Sequence, residues 1–576
     1  MNATPQKLPI GIQSFSEMRR NGYIYVDKTP LIHELVERGK YYFLSRPRRF
    51  GKSLLVDTLD CAFSGRKDLF TGLFLESEEA NWNWERKSPV LRIDFSGGTV
   101  ADRSALESRL HSIIDSWQNK YDPAPSPSDP SGAPSQSGAP SPSAPSGAPS
   151  PSGAPSPSDP SGAPSPSDPS GAPSPSGAHA NSPGHRLLDL VPAITRKTNE
   201  QVVILVDEYD KPITDNLKNP DSAEEIRDGL RDFYSAIKPL DEHIRFVLLT
   251  GVSKFAKAGI FSGLNNLHDI TLSRRYSTLC GYTQSDLETC FADHLQNFDK
   301  DTVREWYNGY SWTGEAVYNP FDILLLFEES EYRAWWFETG TPWFLTEILR
   351  KTPRTLPDLE GMDAGDDILG SCEIHNQRPE PLLFQTGYLT VKAVSSNGQT
   401  GTRYTLGFPN REVREAFSRL MLTVLNGPDA VVPHHSLRQI IEQGDSTALH
   451  KEMEPFFASI PYTWHTKSPI GSYEGYYASI VYAYFASLGY EIIPEDTTNR
   501  GRADMTIKSG RFTWILEFKV KKLDKSGDKS PLQQIKERGY AEKYLSRKLP
   551  VVQVGIIFDP ESRTIESWET EIREVK

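Results

Sequence analysis

Cysteine is scarce in this chain. The 576 residues hold four, Cys61, Cys280, Cys290 and Cys372, with no CxxC or Cys/His spacing among them. That excludes a zinc ribbon or a disulfide framework and predicts free thiols in a reducing cytoplasm. Long apolar runs are also missing: no stretch approaches the roughly 20 residues that a membrane span needs, so no membrane partner is expected. The opening MNATPQKLPIGIQSF lacks a basic start followed by an apolar run, so no export signal is expected there. Basic excess is absent too. Lys and Arg number 63 against 76 Asp and Glu, a formal net charge of −13, which argues against a protein that coats nucleic acid non-specifically.

One segment lacks large apolar side chains altogether. From 123 to 184 the sequence repeats SPSDPSGAP-like units of Ser, Pro, Gly and Ala. It has nothing to bury against the cost of ordering the chain, so it reads as a disordered insertion inside one domain. A loop of that length is tolerated because closure entropy grows only logarithmically.

What remains, 37% hydrophobic and 24% charged, fits about three globular domains. In 1–284, short apolar runs alternate with helical periods. Strands are expected at Tyr41–Leu44, Val90–Phe95, Gln201–Val206 and Ile244–Thr250, and helices at Lys52–Phe63, Ser104–Lys120 and Ala223–Ile237. That alternation predicts an α/β domain with a parallel sheet, its ligand at the carboxyl ends of the strands. Residues 285–465 read as mostly helical and rich in Trp and Tyr. A hairpin is expected there from LLFQTGYLTVKAV (382–394) and TRYTLGFP (402–409), making a lid or winged-helix-like unit. From 466 to 576 a helix (Tyr473–Leu488), alternating strands and a helix over 531–545 predict a compact α/β end domain.

Two stretches carry chemistry. In RPRRFGKS (46–53) the residues Gly51, Lys52 and Ser53 match the end of GxxxxGK[ST], the loop whose amides wrap phosphates while Lys reaches the β/γ oxygens and Ser holds Mg²⁺. Arg46 stands where the first glycine belongs, so the loop is expected to differ in shape. The candidate nucleotide contacts are Arg49, Phe50, Gly51, Lys52, Ser53 and Leu54. VVILVDEYD (202–210) is an apolar strand delivering Asp207, a candidate Mg²⁺ organiser, and Glu208, a candidate base for the attacking water. A solvated strand end is the plainer alternative. RFVLLTGVSK (245–254) adds Thr250 and Ser253 as candidate γ-phosphate sensors. ATP with Mg²⁺ is the expected cofactor pair.

The second stretch is GRADMTIKSGRFTWILEFKV (501–520), a predicted hairpin turning at Ser509-Gly510 and carrying Asp504, Glu517 and Lys519. Glu517 and Lys519 are two apart and so share one face of a strand, with Phe518 facing the core. Hard carboxylate oxygens beside a lysine suit a metal-dependent phosphodiesterase; a surface ion-pair ladder is the alternative. Glu474 opens the preceding helix, and Gln533 or Gln534 on the following one could face the scissile phosphate. Lys519, Lys521 and Lys522 could form part of a basic groove, or a solvated turn.

The blocks LPIGIQSFSEMRRNGYIYVDKTPLIHEL (8–35), RPRRFGKSLL, VDEYDKPI (206–213), LTGVSKF (249–255), ITLSRRYSTLCGYT (270–283), WYNGYSW (306–312), LLFQTGYLT (382–390) and FPNREV (408–413) resemble the AAA-ATPase-like family, whose members carry a C-terminal PD-(D/E)XK nuclease-like domain. The resemblance covers nearly everything but the insertion. It implies a P-loop NTPase domain joined to a restriction-endonuclease-like fold. It also implies that Asp504 and Glu517 ligate Mg²⁺ (or Mn²⁺), that Lys519 assists the water and that Glu474 completes the metal shell. Nucleic acid is then the expected partner, DNA ahead of RNA, with a homo-oligomer left open. Two other readings stay open: a signalling or scaffold NTPase whose C-terminal domain only binds, and a phosphotransferase, which leaves the C-terminal acidic pair unexplained. Arg46, Arg274 and Arg275 are either charge-stabilising residues or partners in ion pairs.

Overall fold

A computed structural model of the chain describes residues 6–122, 182–254, 257–340, 349, 356–366, 370, 379–397, 401–426, 434–458, 474–521, 530–562 and 564–574. The stretch 123–181, Cys372, Gly398, Tyr473 and Lys522 lie outside them.

The N-terminal apolar runs form β1 (Tyr41–Ser45), β2 (Val90–Asp94), β3 (Val202–Asp207), β4 (Ile244–Gly251) and β5 (His268–Asp269). They lie in the order β2-β3-β4-β1-β5, with every neighbouring pair parallel. All six residues of β3 are buried, as in a sheet covered on both faces. Helix Lys52–Phe63 packs on one face across β2, β3 and β4. Helices Arg103–Tyr121 and Pro183–Thr198 pack against each other in a core shared with apolar residues of β2 and β3. The second of these starts at Pro183 with Ser182 capping it, so residues 182–184, expected in the insertion, belong to a helix. β4 lies between β1 and β3, with Leu44 beside Thr250 and Ser45 beside Gly251, and the carboxyl ends of all three strands meet at one edge.

The middle region contains β6 (Met362–Ala364), β7 (Thr390–Asn397) and β8 (Gly401–Gly407), an antiparallel sheet ordered β6-β8-β7. Residues 382–386, expected as strand, are helical: Pro379–Thr386 is a helix buried at every position. A fully buried apolar run has no period to separate helix from strand, and the helix stops where Gly387 takes φ +94.

At the C-terminus, helix Glu474–Ala486 precedes β9 (Glu491–Thr498), β10 (Gly501–Lys508), β11 (Thr513–Val520), β12 (Val551–Asp559) and β13 (Thr564–Arg573). The sheet runs β13-β12-β11-β10-β9, and its one parallel pair, β11 with β12, is joined through helix Pro531–Arg538. That helix is shorter than expected. Gly539 at φ +62 ends it, and a 3₁₀ stretch, Tyr540–Arg547, follows. One apolar core runs from Leu55 and Phe50 through Tyr310, Trp336 and Phe417 to Tyr477, Phe518 and Phe558. Among the described residues no helix is long and apolar enough to cross a membrane.

Candidate nucleotide and phosphodiester sites

Strand β1 hands the chain directly to the glycine-lysine-serine turn. Gly51, at φ +88, caps helix Lys52–Phe63 in the left-handed conformation that glycine adopts without strain. Lys52 is buried, and its ammonium donates to the Arg46 and Pro47 carbonyls at 3.0 Å each. Burial pulls its pKa down, opposed by Asp207, Glu208 and Asp210. Arg46 turns away from the turn into the interior. It donates to the carbonyls of Ser45 and Thr271 at 2.9 Å and of Tyr276 at 3.2 Å, and its guanidinium lies 4.0 Å over the Trp312 ring. The residue in the first-glycine position is therefore a strut between the loop and 271–276. Arg275 pairs with Glu34 at 3.3 Å, and Arg274 is exposed on the same 3₁₀ turn.

Across the edge, Asp207 is buried and accepts the Thr250 hydroxyl at 2.7 Å. Glu208, next in the chain, takes φ +55, and burial raises its carboxyl while Lys52 draws it back down. Ser253, expected to sense phosphate beside Thr250, is committed elsewhere. Asp210 accepts its hydroxyl at 2.6 Å and its N–H at 2.7 Å, and Tyr209 donates to its carbonyl. The close packing there requires Gly251, where a Cβ would sit 2.6 Å from Asp210 and Tyr209.

Of these groups, Gly51, Lys52 and Glu208 open onto a cavity of about 500 Å³, with Asp207 and Thr250 buried behind them. Gly51, Lys52, Ser53, Leu54 and Glu208 line one side; segments from 9–32, 279–282 and 320–324 close the other. Five cations line it (Lys28, Arg48, Arg49, Lys52, Lys211) against the single carboxylate Glu208, a balance suited to a polyanion. Phe50 is fully buried and packs edge-on against Tyr310 and Trp312, while Arg49 lies 3.8 Å over Phe321. The sequence puts Arg48 in the loop window and Lys211 just past the β3 end, but that both line the cavity, with the 320–324 wall, is set by tertiary packing. The Asn319-Pro320 cap, a legible helix start, places that wall.

The C-terminal hairpin pairs from Met505–Leu516 to Lys508–Thr513 and then parts. Asp504 occupies the gap. Its carboxylate accepts the Phe518 N–H at 2.7 Å, while its own N–H lies 3.4 Å from a Glu517 oxygen. The Gln534 amide donates to the other Glu517 oxygen, so Gln534 meets the acidic pair while Gln533 bonds to Glu537. Lys519 sits 3.9 Å from Glu517, which is 1% exposed against 35% for the lysine. Phe518 is buried in the core as expected. Glu474 is the first residue of its helix, which packs on β9, β10 and β11; its side chain lies outside the described residues. Lys521 is paired with Glu566 at 2.6 Å, so it adds little to a basic groove.

Among the described residues no group of three or more His, Cys, Asp or Glu side chains gathers for a metal. Asp504 and Glu517 nevertheless present hard oxygens from adjacent strands, a set that fits Mg²⁺ or Mn²⁺ when water and phosphate oxygens complete the coordination. A divalent ion held there would act as a Lewis acid on the phosphoryl oxygen and lower the pKa of bound water.

Comparison with known proteins agrees with both halves. The AAA-ATPase-like family, described as predicted AAA-ATPase, matches residues 9–261, and the PD-(D/E)XK nuclease superfamily matches 472–568. The sequence is 41% identical over 569 residues, 98% of this chain and 99% of the relative, to an "Uncharacterized protein in vnfD 5'region" of Azotobacter chroococcum mcd 1. No solved structure matches significantly.

Proposed function

The chain belongs to the AAA-ATPase-like family and ends in a PD-(D/E)XK nuclease superfamily domain, and from that premise we propose that it is an ATP-responsive, metal-dependent nuclease acting on DNA in the cytoplasm. The observation that carries the reading is the parted hairpin, where Asp504, Glu517 and Lys519 converge beside Gln534.

In this reading Asp504 and Glu517 are the metal ligands, with Glu474 a third from the neighbouring helix. Gln534 fixes the orientation of Glu517 by its hydrogen bond, and the Lys519 ammonium orients the attacking water and offsets charge developing on the phosphate. At the other site Lys52 exchanges its two loop carbonyls for β/γ-phosphate oxygens. Ser53 and Asp207 hold the Mg²⁺ that accompanies ATP, Thr250 keeps Asp207 in position, and Glu208 accepts the proton of the hydrolytic water. Glu208 suits that task because burial raises its carboxyl. Arg49, Phe50, Gly51 and Leu54 shape the loop. The two sites share one apolar core, a physical route by which occupancy of one could bias the other.

The test is cleavage of supercoiled, linear and branched DNA with Mg²⁺ or Mn²⁺. Cutting that needs metal and disappears in Asp504→Ala and Glu517→Ala supports the proposal. Folded protein that binds ATP but cuts none of these substrates would instead support a nucleotide switch with a binding-only C-terminal domain.

A further inference from the structure

Two of the six residues in the loop 46–51 offer no backbone donor to a phosphate chain. The Arg46 N–H is spent on the Gly251 carbonyl at 3.1 Å, and Pro47 has no N–H to offer. The cations around the cavity are mostly committed as well. Asp286 holds Lys28 at 2.7 Å, Asp215 holds Lys211 at 2.5 Å, and Lys52 and Arg49 are engaged as described above. Arg48 differs. It is exposed, it lines the cavity with Glu208, and among the described residues its guanidinium has no ion pair or side-chain hydrogen bond. Its backbone is held firmly: the carbonyl accepts the Trp336 indole N–H at 3.3 Å, and Pro47 and the left-handed Arg49 (φ +68) flank it. Five guanidinium donors thus stand on a fixed stem above an anion-seeking cavity.

The position along the phosphate chain follows from the neighbours. Glu208 and the Asp207–Thr250 pair occupy the carboxyl end of the sheet, where a terminal phosphate must face the hydrolytic water. Arg48 borders the same cavity as Glu208, which stands at that end. We propose that Arg48 binds the terminal phosphate of the nucleotide, replacing the backbone donors the loop lacks, and makes the site prefer triphosphate to diphosphate. The inference rests on the nucleotide-binding reading of this cavity.

Isothermal titration of the full chain with Mg²⁺ and either the β,γ-imido analogue of ATP or ADP tests it. The variants are Arg48→Ala and Arg48→Lys. Loss of a charge-assisted contact predicts that Arg48→Ala weakens the triphosphate analogue about 10- to 100-fold and ADP by no more than about twofold. Arg48→Lys should recover part of the loss, keeping the charge without the fork. The side chain is exposed, so an unchanged thermal transition is expected and confirms the fold. Wild-type binding with Arg48→Ala affecting both nucleotides equally, or neither, overturns the inference alone. Wild-type protein that binds neither nucleotide overturns the nucleotide reading and this inference with it.

Discussion

Replacing Arg46 with glycine restores the first residue of GxxxxGKS, and the structure predicts that this apparent repair damages the protein. The substitution removes three hydrogen bonds to the Ser45, Thr271 and Tyr276 carbonyls and the stack on Trp312. Leaving buried carbonyls without a donor costs about 1–3 kcal/mol each, and the desolvated cation–π contact about 2 kcal/mol. Glycine adds about 0.5–1 kcal/mol of backbone entropy. Against this, the native protein carries the cost of burying a charge: burial pushes Arg46 down to about 10, which corresponds to about 3 kcal/mol recovered on removal. With mid-range values the net loss is about 5 kcal/mol, similar to the roughly 3–5 kcal/mol of breaking a buried charged network by removing one member. Thermal unfolding followed by tryptophan fluorescence should show Tm falling by about 10 °C or more. An Arg46→Gly protein with unchanged Tm and undiminished nucleotide binding would refute the reading of Arg46 as a strut.

Asp322 and Glu412 both accept the Trp336 backbone N–H, at 2.8 and 3.0 Å, but burial outweighs those bonds and holds both carboxyls up, Asp322 to about 7, while Asp322 pushes Glu412 up further. A carboxyl raised in the folded state gives stability that is fully present below its unfolded value near 4 and lost as pH rises to about 7. Asp322→Asn keeps an acceptor for Trp336 and should flatten the fall in urea-unfolding free energy between pH 5 and 7; an unaltered slope contradicts the shared burial. Lys52→Ala should weaken nucleotide binding at least about 10-fold in titration calorimetry while leaving metal-dependent cutting measurable; undiminished binding would remove Lys52 from the phosphate site. Glu517→Gln should lower cleavage at least about 100-fold in a gel assay without lowering Tm, because a buried amide is easier to accommodate than a buried carboxylate. Gly309→Ala should leave little soluble protein, since a Cβ there would lie 1.9 Å from the Pro409 carbonyl at φ +125; normal yield and Tm would mean that the backbone gives way.

The parallel sheet and the C-terminal hairpin were legible because period and turn chemistry act locally. The runs Tyr41–Leu44 and Gln201–Val206 read as strands because they are short and rich in aromatic or β-branched residues, and Ser509-Gly510 reads as a turn. Residues 382–386 were misread as strand because Leu382 to Thr386 are buried on every side, which erases the alternation that separates helix from strand. Short β5 has two residues and no pattern to show. At the sites, Thr250 donates to Asp207 and the Asp504 N–H lies beside Glu517, since each pair sits on neighbouring strands. Ser253 and Arg46 went elsewhere because their partners, Asp210 and Trp312, arrive from other parts of the chain. The same non-local packing makes the place of Arg48 on the cavity wall and the Trp336 contact invisible before the fold is seen.

The most direct test of the central reading is the rate of Mg²⁺-dependent DNA cleavage as ATP is titrated, in wild-type protein and in Lys52→Ala. The expected result is metal-dependent cutting whose rate changes with ATP in the wild type and is insensitive to ATP in Lys52→Ala. Cutting that ignores ATP in both proteins would contradict coupling between the sites, and no cutting by folded, ATP-binding protein would contradict the nuclease itself.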